Sequence, residues 1–331
     1  MQLSFDKIRQ ITRGAVSTKV EDGKMYFYRF SKPQLKAYRV QTRSADFERK
    51  SLATSGVRFE FNTNSKTLSF SGKAYVGSSR KFFYFDVYVN NALVAHFGAD
   101  NTDGMEFNYS VELGEGYKDV RVYFPWSASV ELTSVEVDDK STVAPMPKKP
   151  KMISFGDSIT QGYDAIYPSL SYASILADRM GVEAFNKAIG GEIFCPDIIE
   201  EPENLDVKYI TVAYGTNDWG KVTREEFEAS CKEFYEKLSA QYPNARIFAI
   251  TPIWRGDYLT QTEKRGDFNR ISNHIKAVCE PLENVIVIDG FDLTPELPEF
   301  YSDLRLHPND LGFTQYANAL LKELALLGLK R

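Results

Sequence analysis

The apolar pattern changes character once along the chain, and this change constrains the fold more than any other feature. From about Met25 to Val137 apolar and polar residues alternate in short runs: Val57-Arg58-Phe59-Glu60-Phe61, Phe83-Tyr84-Phe85-Asp86-Val87-Tyr88-Val89, and Val130-Glu131-Leu132 continuing to Val135-Glu136-Val137. A period of two gives a strand one buried face. Asn90-Asn91 separates two such runs, and Asn tolerates the positive φ of a tight hairpin. Many short strands with almost no helical periodicity predict an antiparallel β-sandwich of jelly-roll type. Beyond residue 151 the runs become continuous: Met152-Ile153-Ser154-Phe155, Ile210-Thr211-Val212-Ala213, Ile247-Phe248-Ala249-Ile250 and Val285-Ile286-Val287-Ile288. Strands of this kind are covered on both faces. Helical stretches near Ser171 to Met180, Thr223 to Tyr242, Phe268 to Glu280 and Asn309 to Leu327 lie between and after them, which predicts an α/β layer with a parallel sheet.

At 331 residues the chain exceeds the size at which a single core stops growing, so two domains are expected. The stretch Asp138 to Lys151 carries Pro145, Pro147 and Pro150 without apolar periodicity and reads as the linker. The division is placed at residues 1–143 and 144–331. A net charge of −5, with no basic run beyond Lys148, Lys149 and Lys151, argues against a nucleic-acid partner. No segment reaches the roughly 18 apolar residues of a membrane helix. The opening residues carry Asp6 and lack the apolar run of a secretory signal, so a cytoplasmic protein is expected. Cys195, Cys231 and Cys279 are few and far apart and read as buried free thiols.

Chemistry concentrates where the apolar strands end, because active sites of such sheets lie beyond the carboxyl ends of the strands. The first strand runs into Gly156-Asp157-Ser158-Ile159-Thr160-Gln161-Gly162, placing Ser158 at a strand-to-helix turn with its backbone N–H free. That serine is either a nucleophile or a helix cap. Asn186-Lys187-Ala188-Ile189-Gly190-Gly191-Glu192 holds a glycine pair that lets backbone approach a ligand or simply turns. Ala213-Tyr214-Gly215-Thr216-Asn217-Asp218-Trp219 brings an Asn amide to the same rim, as donor or as cap. Asp303-Leu304-Arg305-Leu306-His307-Pro308 precedes the last helix and supplies a candidate base. Of the three histidines, His96 sits in an alternating strand and His274 in an amphipathic helix, which leaves His307.

These four stretches, in this order, resemble the four blocks of the SGNH/GDSL hydrolase superfamily over about residues 152 to 327. The resemblance implies a three-layer, flavodoxin-like parallel-sheet domain. It also implies Ser158 as nucleophile, His307 as base, and Gly191 and Asn217 as oxyanion-hole donors beside the Ser158 N–H, with Gly190 as the alternative in a shifted alignment. The family places its Asp three residues before the His. Here position 304 is Leu and Asp303 stands four before, so either Asp303 or a backbone carbonyl orients the imidazole. The whole chain resembles two-domain carbohydrate esterases, acetyl xylan esterases among them, in which a β-sandwich precedes the SGNH domain. This implies a deacetylase of acylated oligosaccharides. An acylated small molecule, as substrate of an esterase or acyltransferase, is the alternative, and an inactive carbohydrate-binding scaffold a further one. Trp219, Trp254 and Arg255 lie near the rim and are candidates for substrate binding, since flat aromatic faces suit sugar rings; packing within the protein is the competing role. Imidazole suffices to activate the serine, so no cofactor or metal is expected.

Overall fold

The computed structural model describes residues 1–40, 46–102, 104–199, 206–261 and 266–329. The chain forms two compact units, one of Met1–Ser31, Thr42–Lys148 and Ile166–Ser169, the other of Lys32–Gln41, Lys149–Ala165 and Leu170–Arg331.

The first unit opens with helix α1 (Phe5–Ile11), followed by strands β1 (Thr12–Arg13), β2 (Ser17–Glu21) and β3 (Lys24–Tyr28). After α2 (Lys32–Val40), which belongs to the second unit, the first unit continues with α3 (Phe47–Ser51), β4 (Arg58–Thr63), β5 (Thr67–Val76), β6 (Phe83–Val89) and β7 (Ala92–Ala99). The unit closes with β8 (Met105–Glu112), β9 (Lys118–Tyr123), β10 (Ala128–Val137) and β11 (Val143–Pro145). Its two antiparallel sheets run β2-β3-β10-β5-β8 and β1-β4-β9-β6-β7, with β11 added beside β4. From β4 onward the chain passes repeatedly between the sheets, as in a jelly roll. The alternation supplies the core: Phe59 and Phe85 of one sheet meet Phe27 and Phe70 of the other, with ring centroids 6.3 Å and 5.2 Å apart. Asn90 and Asn91 take φ of 46° and 69°, the hairpin turn that joins β6 to β7. The stretch read as a linker is in part structural. Val143, Ala144 and Pro145 pair with β4, and Asp138 accepts hydrogen bonds from Lys66 N–H and the Thr67 hydroxyl.

In the second unit β12 (Lys151–Gly156), β13 (Glu183–Ala188), β14 (Val207–Ala213), β15 (Arg246–Ile250) and β16 (Val285–Ile288) form a parallel sheet in the order β13-β12-β14-β15-β16. Helices α4 (Ser158–Gln161), α5 (Tyr172–Met180), α6 (Asp218–Lys221), α7 (Arg224–Gln241), α8 (Asn269–Cys279) and α9 (Asp310–Leu326) connect and flank these strands. Local chemistry sets their ends. Thr223 and Glu226 form a reciprocal capping box on α7, Ser171 caps α5, and Asn309 caps α9 through the Gly312 N–H. The strand order makes β12 the topological switch point, because β13 and β14 lie on opposite sides of it.

One departure from the alternation concerns α2, a helix within a stretch read as strands. Its Gln34 and Tyr38 are buried in the second unit, where Gln34 bonds Lys187 and the Ile198 carbonyl. The cut at residue 143 is therefore crossed by two short segments, 32–41 and 166–169.

Candidate active site

β12 ends at Gly156 against Thr160, where any added Cβ would lie 2.1 Å from the Thr160 hydroxyl oxygen. This close approach allows the strand to turn directly into α4. Asp157 caps α4, accepting from the Ile159 N–H at 2.9 Å, and Ser158 becomes the first helical residue. Its N–H therefore needs no intrahelical partner. Burial pushes the Asp157 carboxyl up to about 6, opposed by the Ile159 N–H and by the charges of His307, Lys221 and Arg255.

Ser158 Oγ lies 3.0 Å from His307 Nε2, and His307 Nδ1 lies 2.9 Å from Asp303 Oδ2. Asp303 is thus the residue that meets the imidazole, despite its displaced position. Leu304, at φ 56°, takes up the additional residue in the left-handed region. The loop then curls around the carboxylate, and Asp303 Oδ1 accepts from the N–H groups of Arg305, Leu306 and His307 at 3.1, 2.6 and 3.1 Å. Burial alone would raise this carboxyl, but the bonds from the His307 ring and from the Leu306 and His307 N–H groups hold it well below the usual carboxylate range. The constellation can take a proton from Oγ and stabilise the resulting imidazolium.

The second and third blocks are tied to each other and to the first. Gly190 N–H donates to Gln161 Oε1 at 2.7 Å, so this group is already engaged within the fold. Gly191, at φ 91°, stands where a side chain would be strained, and its N–H has no partner among the described residues. Asn217 donates one amide hydrogen to the Glu192 carbonyl at 3.0 Å and retains a second. Lys221 Nζ donates to the Gly191 carbonyl at 2.6 Å. Beneath them the fully buried Glu192 carboxylate accepts from Tyr38 at 2.7 Å and from Tyr214 at 3.2 Å. Glu192 and Tyr38 escape a reading of sequence alone, since 154 positions separate them.

Trp219, Trp254 and Arg255, the candidates for substrate binding, are all buried. Trp219 is fully enclosed, donates to the Gly266 carbonyl and lies under the Arg255 guanidinium at 4.9 Å. Trp254 packs on Tyr301. Arg255 spends its donors on both oxygens of Asp257 and on the carbonyl and hydroxyl of Thr216, the residue before Asn217. Its work is to hold the Asn217 loop. The other two histidines are structural, His96 paired with Asp86 at 2.7 Å and His274 set against the Glu228 carbonyl. The three cysteines are free and buried.

A doubly wound parallel sheet with Ser, His and Asp joined at its switch point defines a serine hydrolase domain. Residues 154–314 match the GDSL-like lipase/acylhydrolase family, and the chain carries a domain of that family. No curated protein matches the chain in sequence. Among solved structures, the chain is similar to the salicylyl-acyltransferase SsfX3 of a tetracycline biosynthetic pathway, with a TM-score of 0.80 and 22% identity over 96% of this chain and 94% of that one. A putative GDSL-like lipase from Bacteroides ovatus gives a TM-score of 0.77 and 18% identity over 98% and 96%. A family two carbohydrate esterase from Clostridium thermocellum gives 0.65 and 18% over 84% and 94%.

Proposed function

We propose that the protein is a serine esterase that removes short acyl groups, acetyl above all, from a carbohydrate. The observation that carries the catalytic part is the continuous chain from Ser158 Oγ through His307 to Asp303, with hydrogen bonds of 3.0 and 2.9 Å. In this reading Ser158 Oγ attacks the acyl carbonyl while His307 Nε2 takes its proton. Negative charge develops on the carbonyl oxygen, and the Ser158 and Gly191 N–H groups and the free hydrogen of the Asn217 amide receive it. Collapse expels the alcohol, which His307 protonates, and leaves an acyl-enzyme. Water activated by the same imidazole then releases the acid.

The carbohydrate part is supported by the likeness of the whole chain, sandwich included, to carbohydrate esterases. A second reading, esterase or acyl-transfer chemistry on a non-carbohydrate small molecule, is favoured by the burial of Trp219 and Trp254, which removes the aromatic faces a sugar would stack on. Release of acetate from acetylated oligosaccharides, measured beside p-nitrophenyl acetate and octanoate, tests the choice. The carbohydrate reading expects oligosaccharides to be turned over at higher kcat/KM than the nitrophenyl esters and octanoate to be poor. Rapid acetate release from the nitrophenyl ester with inert oligosaccharides would overturn it and leave the second reading.

A further inference from the structure

His307 faces a second carboxylate that no triad requires. Asp164 Oδ2 lies 3.9 Å from His307 Nδ1, and the Asp164 side chain is 9% exposed against 28% for Asp303. The exit from α4 places it there. Gly162 closes the helix at φ 104°, and Tyr163 N–H returns to the Ser158 carbonyl at 2.9 Å. The Tyr163 ring then lies along the imidazole, 5.6 Å between centroids and 28° from parallel. Gly190 makes room for that ring, since a Cβ at this position would come within 2.4 Å of the Tyr163 hydroxyl. Asp164 itself has φ of 72°, a conformation that costs a non-glycine residue and is held only where the surroundings impose it.

We propose that Asp164 is a positioning residue for the esterase reaction, a second carboxylate that stabilises the His307 imidazolium alongside Asp303. The proposal rests on the esterase reading above. An opposite charge within about 4–6 Å favours the charged form of a titrating group. The groups facing His307 are the Ser158 hydroxyl, the Asp303 and Asp164 carboxylates and the Tyr163 ring, with the Asp157 carboxyl acting electrostatically. Asp303 fixes the Nδ1–H direction through the shorter bond. Asp164, one ångström farther, acts through its field and is the carboxylate left beside Nδ1 when Asp303 is lost.

The test is the pH profile of kcat/KM for p-nitrophenyl acetate in Asp164→Asn and Asp164→Gly, each alone and combined with Asp303→Asn. Asn tolerates the left-handed backbone and Gly relieves it, so the pair separates charge from strain. Both single variants are expected to lower kcat/KM about three- to tenfold and to move the acidic limb to lower pH by at least half a unit, because the base loses a charge that favours its protonated form. In the Asp303→Asn background the loss from removing Asp164 should exceed the loss in the wild type by about tenfold or more. An acidic limb that stays in place, or losses that multiply independently, would overturn the proposal. Ser158→Ala, run in parallel, keeps the premises apart: residual wild-type turnover there defeats the esterase reading itself, whereas an inactive Ser158→Ala beside an unmoved Asp164→Asn profile defeats only this inference.

Discussion

Asp303 holds an imidazole with one oxygen and a loop with the other, and both duties depend on its negative charge. Its carboxyl is depressed in the folded protein, so the stability it contributes is complete above the ordinary Asp range near 4 and is lost as pH falls through the lower folded value. Asp303→Asn should therefore melt below the wild type at pH 6 to 7, with the Tm gap beginning to close below about pH 4; thermal unfolding across pH 3 to 7 checks this, and a gap that widens on acidification would contradict it. Ser158 and His307 were legible because strand ends and histidine scarcity point to them directly. The register of Asp303 was not decidable from spacing, since only the left-handed Leu304 brings it to Nδ1. The burial of Trp219 was not legible, and its reason is geometric. Two positions along helical backbone differ by about 200°, so if Asn217 presents its amide to the rim, Trp219 points into the core.

Strands and helices of the second unit follow the sequence pattern within a few residues, because continuous apolar runs and capping residues are local signals. α2 had no comparable signal. Its value lies in partners far along the chain: Tyr38 donates to Glu192, and Gln34 accepts from Lys187 at 2.8 Å. Removing it leaves a buried carboxylate and a buried ammonium short of partners, each a loss of about 1–3 kcal/mol or more. Residues 144–331 expressed alone should then fail to give a stable, active hydrolase even though they carry the whole triad. The comparison to make is soluble yield, cooperative unfolding and esterase activity against the full chain; a fragment that unfolds cooperatively at the same Tm would show that α2 is dispensable. β11 was hidden for a related reason, as a strand of three residues ending in proline pairs only because β4 offers it an edge.

At the level of the molecule, the two-part build was visible as a change of apolar period, while the exchange of segments 32–41 and 166–169 between the units was not, since it depends on tertiary pairing. No helix among the described residues is long and apolar enough to cross a membrane. The parallel sheet places β12 at the switch point, and the chemistry gathers where that strand ends. The proposed chemistry depends on Ser158 acting there as a nucleophile toward an acyl carbon. The most direct measurement is intact-protein and peptide mass spectrometry after reaction with a fluorophosphonate, followed in step with p-nitrophenyl acetate turnover in the wild type, Ser158→Ala and His307→Ala. A nucleophilic Ser158 predicts one adduct, on that residue, appearing as activity disappears, no adduct and no turnover in Ser158→Ala, and strongly slowed labelling in His307→Ala. Turnover that survives in Ser158→Ala, or an adduct on another residue that tracks the loss of activity, would contradict it.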